Sequence, residues 1–100
     1  MNKIKFYRIT QGLPLKALAI DTGLSLGHLS HLENHEKQPS KSAMESIAAA
    51  LNKTVPEVFY SEYTDDDRVK LDKCGYRLRD GVIIEAVKEG GLPNGTDTNV

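Results

Sequence analysis

The stretch "TGLSLGHLSHLENHEKQPS", Thr22 to Ser40, decides how this chain folds. Gly23 stops a helix that precedes it, and Ser25 is a good N-cap for the one that follows. The spacing predicts a helix from about Leu26 to Asn34, then a loop at Gln38-Pro39-Ser40. All three histidines of the chain lie here, spaced H-x2-H-x3-H. A metal site, a pH sensor and a helix laid against another molecule are the three readings that spacing raises.

Placing the helix at about 100° per residue separates its faces. With His28 at zero, Leu32 lies at about 40°, Leu29 at about 100° and Glu33 at about 140°. That arc is the core side. Ser30, Asn34, Gly27 and His31 fall between about 200° and 300°, the outward side. His35 falls beside His28 if the helix reaches it. Two leucines turned inward and a small, polar outer face, after a tight glycine turn, describe a helix-turn-helix unit. The second helix of such a unit can enter the major groove of DNA, N-terminal end first.

Working outward, a first helix carries Ile4 and Tyr7 on one face and ends at Gly12. Pro14 sits where a first helical turn tolerates it. Leu15, Leu18, Ala19 and Thr22 follow at helical spacing. Ser40 or Ser42 caps a fourth helix with an apolar stripe of Met44, Ile47, Ala48 and Leu51. Thr54 caps a short fifth helix holding Pro56, Val58 and Phe59. The expected fold is therefore all-α, five short helices over residues 1–60. Residues 61–75 read as an acidic linker with one helical turn after Thr64. Residues 76–89 are ambiguous. Asp80-Gly81 between two β-rich runs signals a hairpin at 76–87, whereas Asp80 as a cap predicts a helix carrying Ile83, Ala86 and Val87. The hairpin is preferred. Residues 90–100 are expected to be disordered.

The whole chain bounds the function. One hundred residues make one small domain with an appendage. No apolar run is long enough to span a membrane, and the N-terminus lacks the apolar segment of a signal peptide. The single cysteine, Cys74, cannot form an internal disulfide, so a cytoplasmic location is expected. Residues 1–60 carry seven Lys and Arg against five acids, a net +2, while residues 61–100 carry a net −3. A mildly basic head permits nucleic-acid binding but does not supply strong non-specific affinity. No Ser/His/acid ordering, paired carboxylates or phosphate-binding glycine loop points to catalysis.

The pattern Arg8-x3-Gly12-Leu13, Leu18-Ala19-x3-Gly23-Leu24-Ser25-x3-Leu29-Ser30-x-Leu32-Glu33, Pro39-Ser40 and Ile47-Ala48-x2-Leu51 resembles the lambda-repressor-like (Cro/cI, XRE-type) helix-turn-helix domain. The resemblance covers about residues 3–60 without a gap. It implies a partly buried ion pair between Arg8 and Glu33. It implies base contacts from Leu26, Gly27 and His31, and base or phosphate contacts from His28 and Ser30. Lys16, Ser25, Asn34, Lys37 and Lys41 match positions near the phosphate backbone.

The departures are informative. Leu15 stands where the family often has a phosphate-binding Gln. Leu26 and Gly27 stand where polar readers are common. Leu26 can touch a thymine methyl and Gly27 can allow close approach, but neither reads a base edge bidentately. His31 would carry much of the direct readout. The family's glycine after the third helix is His35 here, so Asn34 or His35 must take the turn conformation. Glu36 lies in a loop that would face phosphates, which is unfavourable.

The resemblance implies a sequence-specific transcriptional regulator, a dimeric repressor that occludes a promoter, with double-stranded DNA and a second copy as partners. Val55, Val58, Phe59 and Tyr60, with Tyr76–Val87 beside them, are the candidate dimer contact, with closure of the monomer core as the alternative for Val58 and Phe59. A protein partner through residues 61–89, with a degenerate helix-turn-helix of antitoxin or anti-repressor type, is the competing reading. No cofactor is implied. The histidines lack a cysteine or nearby aspartate to complete a zinc site, so no metal is expected. If they touch DNA, affinity should rise as pH falls from about 7.5 to 6. Cys74 beside Lys73 reads as a surface thiol, with redox sensing the sharper alternative.

Overall fold

Short polar side chains set where the helices begin. Ser25 Oγ accepts from the His28 N–H at 3.1 Å, and Ser40 Oγ accepts from the Ala43 N–H at 3.1 Å. Thr54 and Glu57 cap each other reciprocally. The computed structural model describes residues 2–86, which divide into two units between Tyr63 and Thr64. The first unit holds α1 (Ile4–Thr10), α2 (Leu15–Thr22), α3 (Leu26–Glu33), α4 (Lys41–Ala50) and α5 (Val55–Phe59).

Three of these helices end in the same backbone device. After α1, the Leu13 and Gly12 N–H groups donate to the Arg8 and Ile9 carbonyls. After α3, Glu36 and His35 donate to His31 and Leu32, and after α4, Lys53 and Asn52 donate to Ala48 and Ala49. This is the Schellman turn, and it needs one left-handed residue. Gly12, His35 and Asn52 fill that place at φ 66°, 63° and 58°. Glycine does so freely and asparagine with little strain. His35, not Asn34, takes the turn after α3, and a histidine there costs about 1 kcal/mol.

Ile4, Leu18, Leu29, Leu32, Ile47, Ala48, Leu51, Val58 and Phe59 form the core of the first unit. Each helix contributes its inward stripe, so burial of those stripes stabilises the whole arrangement. While Pro56 and Glu57 face solvent, Val58 and Phe59 are taken up by this core on the inward side of α5. They are therefore withdrawn from the dimer contact. Tyr60, 71% exposed, and the half-buried Val55 are the surface that α5 leaves open.

Two features were not legible in the helical pattern. Asn2 is buried, its Nδ2 donating to the Leu32 carbonyl at 2.8 Å while its Oδ1 accepts from the Ile4 N–H at 3.1 Å. One amide thus joins the start of α1 to the end of α3. The buried Lys3 ammonium lies 5.2 Å from the ring centres of Phe6 and Tyr63 and 5.5 Å from that of Tyr7. These cation–π contacts, with the Lys3 Nζ bond to the Glu62 carbonyl, place residues 61–63 in the first unit rather than in a linker.

The second unit corrects the sequence reading. Residues expected to be linker form a sixth helix, α6 (Asp65–Lys73). Thr64 and Asp67 build a reciprocal cap, with side-chain bonds of 3.0 and 3.1 Å. The three aspartates occupy the positive first turn, and Lys70 and Lys73 occupy the negative last turn. The acidic run is thus the favourable start of a helix, not a solvated spacer. Gly75, at φ 86°, then turns the chain into an antiparallel hairpin of β1 (Tyr76–Arg79) and β2 (Val82–Glu85). Asp80 and Gly81 both have positive φ, the requirement of a two-residue type I′ turn. The hairpin reading is the observed one. Its last expected residue, Val87, and the tail 90–100 lie outside the described residues. Among the described residues, no helix is long and apolar enough to cross a membrane.

Candidate nucleic-acid interface

α3 presents two opposed faces, and each ends in a carboxylate. Leu29 and Leu32 are fully buried, and Glu33 is nearly so. Its carboxylate accepts from Arg8 Nε at 2.7 Å and Arg8 Nη2 at 3.2 Å. The third guanidinium corner donates to the Leu13 carbonyl at 3.2 Å. One arginine therefore ties the turn after α1 to the underside of α3. Arg does this where Lys would not, because its planar fork meets both carboxylate oxygens and a carbonyl together.

The outer face is built of the residues predicted to meet DNA. Leu26, Gly27, His31 and Asn34 are exposed, and His28 and Ser30 are half-buried. Leu26 is half-exposed at the first position of the helix, an apolar side chain left uncovered at its tip. A Cβ placed on Gly27 would meet nothing within 4 Å, so no packing inside the domain requires glycine there. Asn34 Nδ2 lies 3.5 Å from Ser30 Oγ, one turn back on the same face.

The expected phosphate contacts come from several elements. Ser25 is exposed at the N-cap of α3 and already accepts one backbone N–H. Lys16 lies in the first turn of α2, Lys41 in the first turn of α4, and Lys37 in the loop between α3 and α4. All three lysines are exposed. A first helical turn adds its own partial positive charge to a lysine that meets a phosphate.

The histidines have separate fates. His31 Nδ1 lies 2.5 Å from Glu36 Oε1. Glu36, expected only to repel phosphates, is held by the Schellman turn beside His31. The motif brings its sixth residue back over its first, where an apolar contact commonly sits. His35 Nδ1 lies 3.5 Å from Asn2 Nδ2. Partial burial first, then the amino-terminal charge, hold the His35 imidazole below its ordinary range. Among the described residues, no three His, Cys, Asp or Glu side chains gather as a metal site. Cys74 is an exposed free thiol.

Sequence reasoning missed Asn2, the partner of Glu36 and the exposure of Ile20. Ile20 is 73% exposed on α2, two residues from the buried Leu18 and so on the opposite face of the helix. The Glu36 contact had a signal in the chain. Once one residue after the third helix must be left-handed, the next is carried back over the helix end.

Comparison with known proteins matches a family model described as helix-turn-helix to residues 4–58, more than half of the chain. No curated protein and no solved structure matches.

Proposed function

Because the chain belongs to this Cro/cI-type (XRE) helix-turn-helix family, whose members are DNA-binding regulators, we propose that it is a sequence-specific repressor of transcription. Two copies would place α3 in successive turns of the major groove at a promoter and occlude polymerase. The exposed outer face of α3 supports this reading most directly. Leu26, Gly27 and His31 are uncovered there, while Lys16, Lys37 and Lys41 extend into solvent from three other places in the chain.

In this mechanism Leu26 meets a thymine methyl, Gly27 lets the backbone approach the base edges, and His31 makes the polar contact. His28, Ser30, Ser25, Asn34 and the lysines hold the phosphates and set the register. A monomer with so few polar readers binds weakly. A second copy joined through Tyr60, Val55 and the hairpin residues supplies the missing affinity through effective concentration.

Fluorescence anisotropy on duplex DNA from the region upstream of its own gene, against scrambled DNA at two salt concentrations, tests the reading. A preference of at least about a thousandfold is expected for a specific regulator. Equal, weak binding to both that vanishes with salt would overturn it and favour a protein-binding module. Gly27→Ala sharpens the test. It should leave the fold intact or stabilise it by up to about 1 kcal/mol, yet weaken specific binding. Unchanged binding would remove Gly27 from the interface.

A further inference from the structure

We propose that Glu36 sets the base preference of the readout helix, by holding His31 so that Nε2 faces the groove as a hydrogen-bond acceptor. This inference rests on the DNA-binding reading and deepens it.

The geometry begins in the backbone. The Glu36 N–H donates to the His31 carbonyl at 2.8 Å and the His35 N–H to the Leu32 carbonyl at 3.2 Å, with His35 left-handed between them. That turn places residue 36 over residue 31 whatever their side chains are. The Glu36 carboxylate then meets His31 Nδ1. A carboxylate carries only lone pairs, so the proton between them belongs to Nδ1. A neutral imidazole has one N–H, and with Nδ1 holding it, Nε2 is left with a lone pair. Both side chains remain more than half exposed, and Nε2 lies on the opposite edge of the ring from the Nδ1 that Glu36 holds.

In the major groove, guanine offers acceptors at N7 and O6, whereas adenine and cytosine offer amino groups. An acceptor Nε2 repels the guanine edge and takes a hydrogen from an adenine or cytosine amino group. A histidine free to carry its proton on Nε2 reads guanine instead. Glu36 is thus a positioning residue for recognition, acting through His31.

The test is enrichment from a random duplex library at pH 8, above the ordinary imidazole range, for the wild type, Glu36→Ala, Glu36→Gln and His31→Ala. Circular dichroism establishes that each variant is folded. His31→Ala locates the position read by His31. At that position the wild type should enrich adenine or cytosine, and Glu36→Ala should shift preference toward guanine by about tenfold, the scale of one base-edge contact, while Glu36→Gln, whose amide oxygen can still accept from Nδ1, should shift it less.

A Glu36 that merely repels phosphates would instead, on removal, raise affinity for every duplex alike. That outcome would overturn the proposal and leave the regulator reading standing. A wild-type preference for guanine there, or no position affected by His31→Ala, would do the same. Failure of the wild type to enrich any sequence would overturn both.

Discussion

α3 carries two carboxylate pairs, one on each side, and they do different work. On the inner side Glu33 meets Arg8 with side-chain exposures of 5% and 17%. On the outer side Glu36 meets His31 at 58% and 53%. The inner pair closes three hydrogen bonds around one guanidinium and joins two elements far apart in the chain. The outer pair joins residues five apart across one turn. Water screens the outer pair and weakens it as a source of stability. The inner pair has lost that screening, so each partner depends on the other. One helix thus keeps a buried pair and a solvated pair on opposite sides.

Removing half of the inner pair should give the largest effect. Arg8→Ala leaves the Glu33 carboxylate buried without its partner, and an unfolding free-energy loss of about 3 kcal/mol is expected by urea titration. The double change Arg8→Met with Glu33→Leu should cost less than Arg8→Ala alone, since no orphaned charge remains. If the double variant were the less stable, the pair would be contributing attraction beyond mutual neutralisation.

Asn2→Ala should follow, at about 2 kcal/mol. It strips the Ile4 N–H of its acceptor and the Leu32 carbonyl of a donor at a buried site. This asks whether the inner end of α3 depends on the amino-terminal residues as well as on Arg8. A loss within 0.5 kcal/mol, the range of ordinary surface changes, would mean that water replaces the amide.

The inner half of this design was legible in the sequence and the outer half was not. Leu29, Leu32 and Glu33 declare themselves by helical spacing, because a buried stripe must repeat with the turn of the helix. Ser25, Ser40, Thr54 and Thr64 declare the helix starts for a local reason, an oxygen beside an unpaired N–H. The Asp65–Asp67 run was misread because charge alone looks like solvated linker, while its place after Thr64 makes it a first turn. Asn2 and the Lys3 aromatic contacts depend on residues brought together by the fold, with no periodicity to betray them. Where the outer pair falls follows from a single dihedral, the left-handed φ of His35.

His35 is therefore the next place to sharpen the contrast. His35→Gly keeps the turn and removes its strain, so stability at pH 7.5 should rise by up to about 1 kcal/mol. The gain should be larger at pH 5.5. Because folding lowers the His35 pKa below the ordinary value of 6.5, the unfolded chain takes the proton first as pH falls. Wild-type stability from this group is complete above that value and is lost as pH drops through it. Denaturant titrations at both pH values measure the difference. An equal gain at each pH would mean that His35 titrates alike in the folded and unfolded chain.

The smallest effect expected is the most diagnostic. Glu36→Gln removes the outer charge while keeping its length and its place in the turn. An exposed pair of this kind contributes at most about 0.5 kcal/mol, so the midpoint of thermal unfolding should move by less than about 4 °C in a domain of this size. Glu33→Gln, the same change on the inner face, should lower the midpoint several times further and respond little to salt. A Glu36→Gln loss equal to that of Glu33→Gln would make the outer pair a strut of the helix end, and the division between the two faces of α3 would fail. A near-neutral result would mean that the backbone turn alone places Glu36 beside His31, with the carboxylate adding nothing to the stability of the helix end.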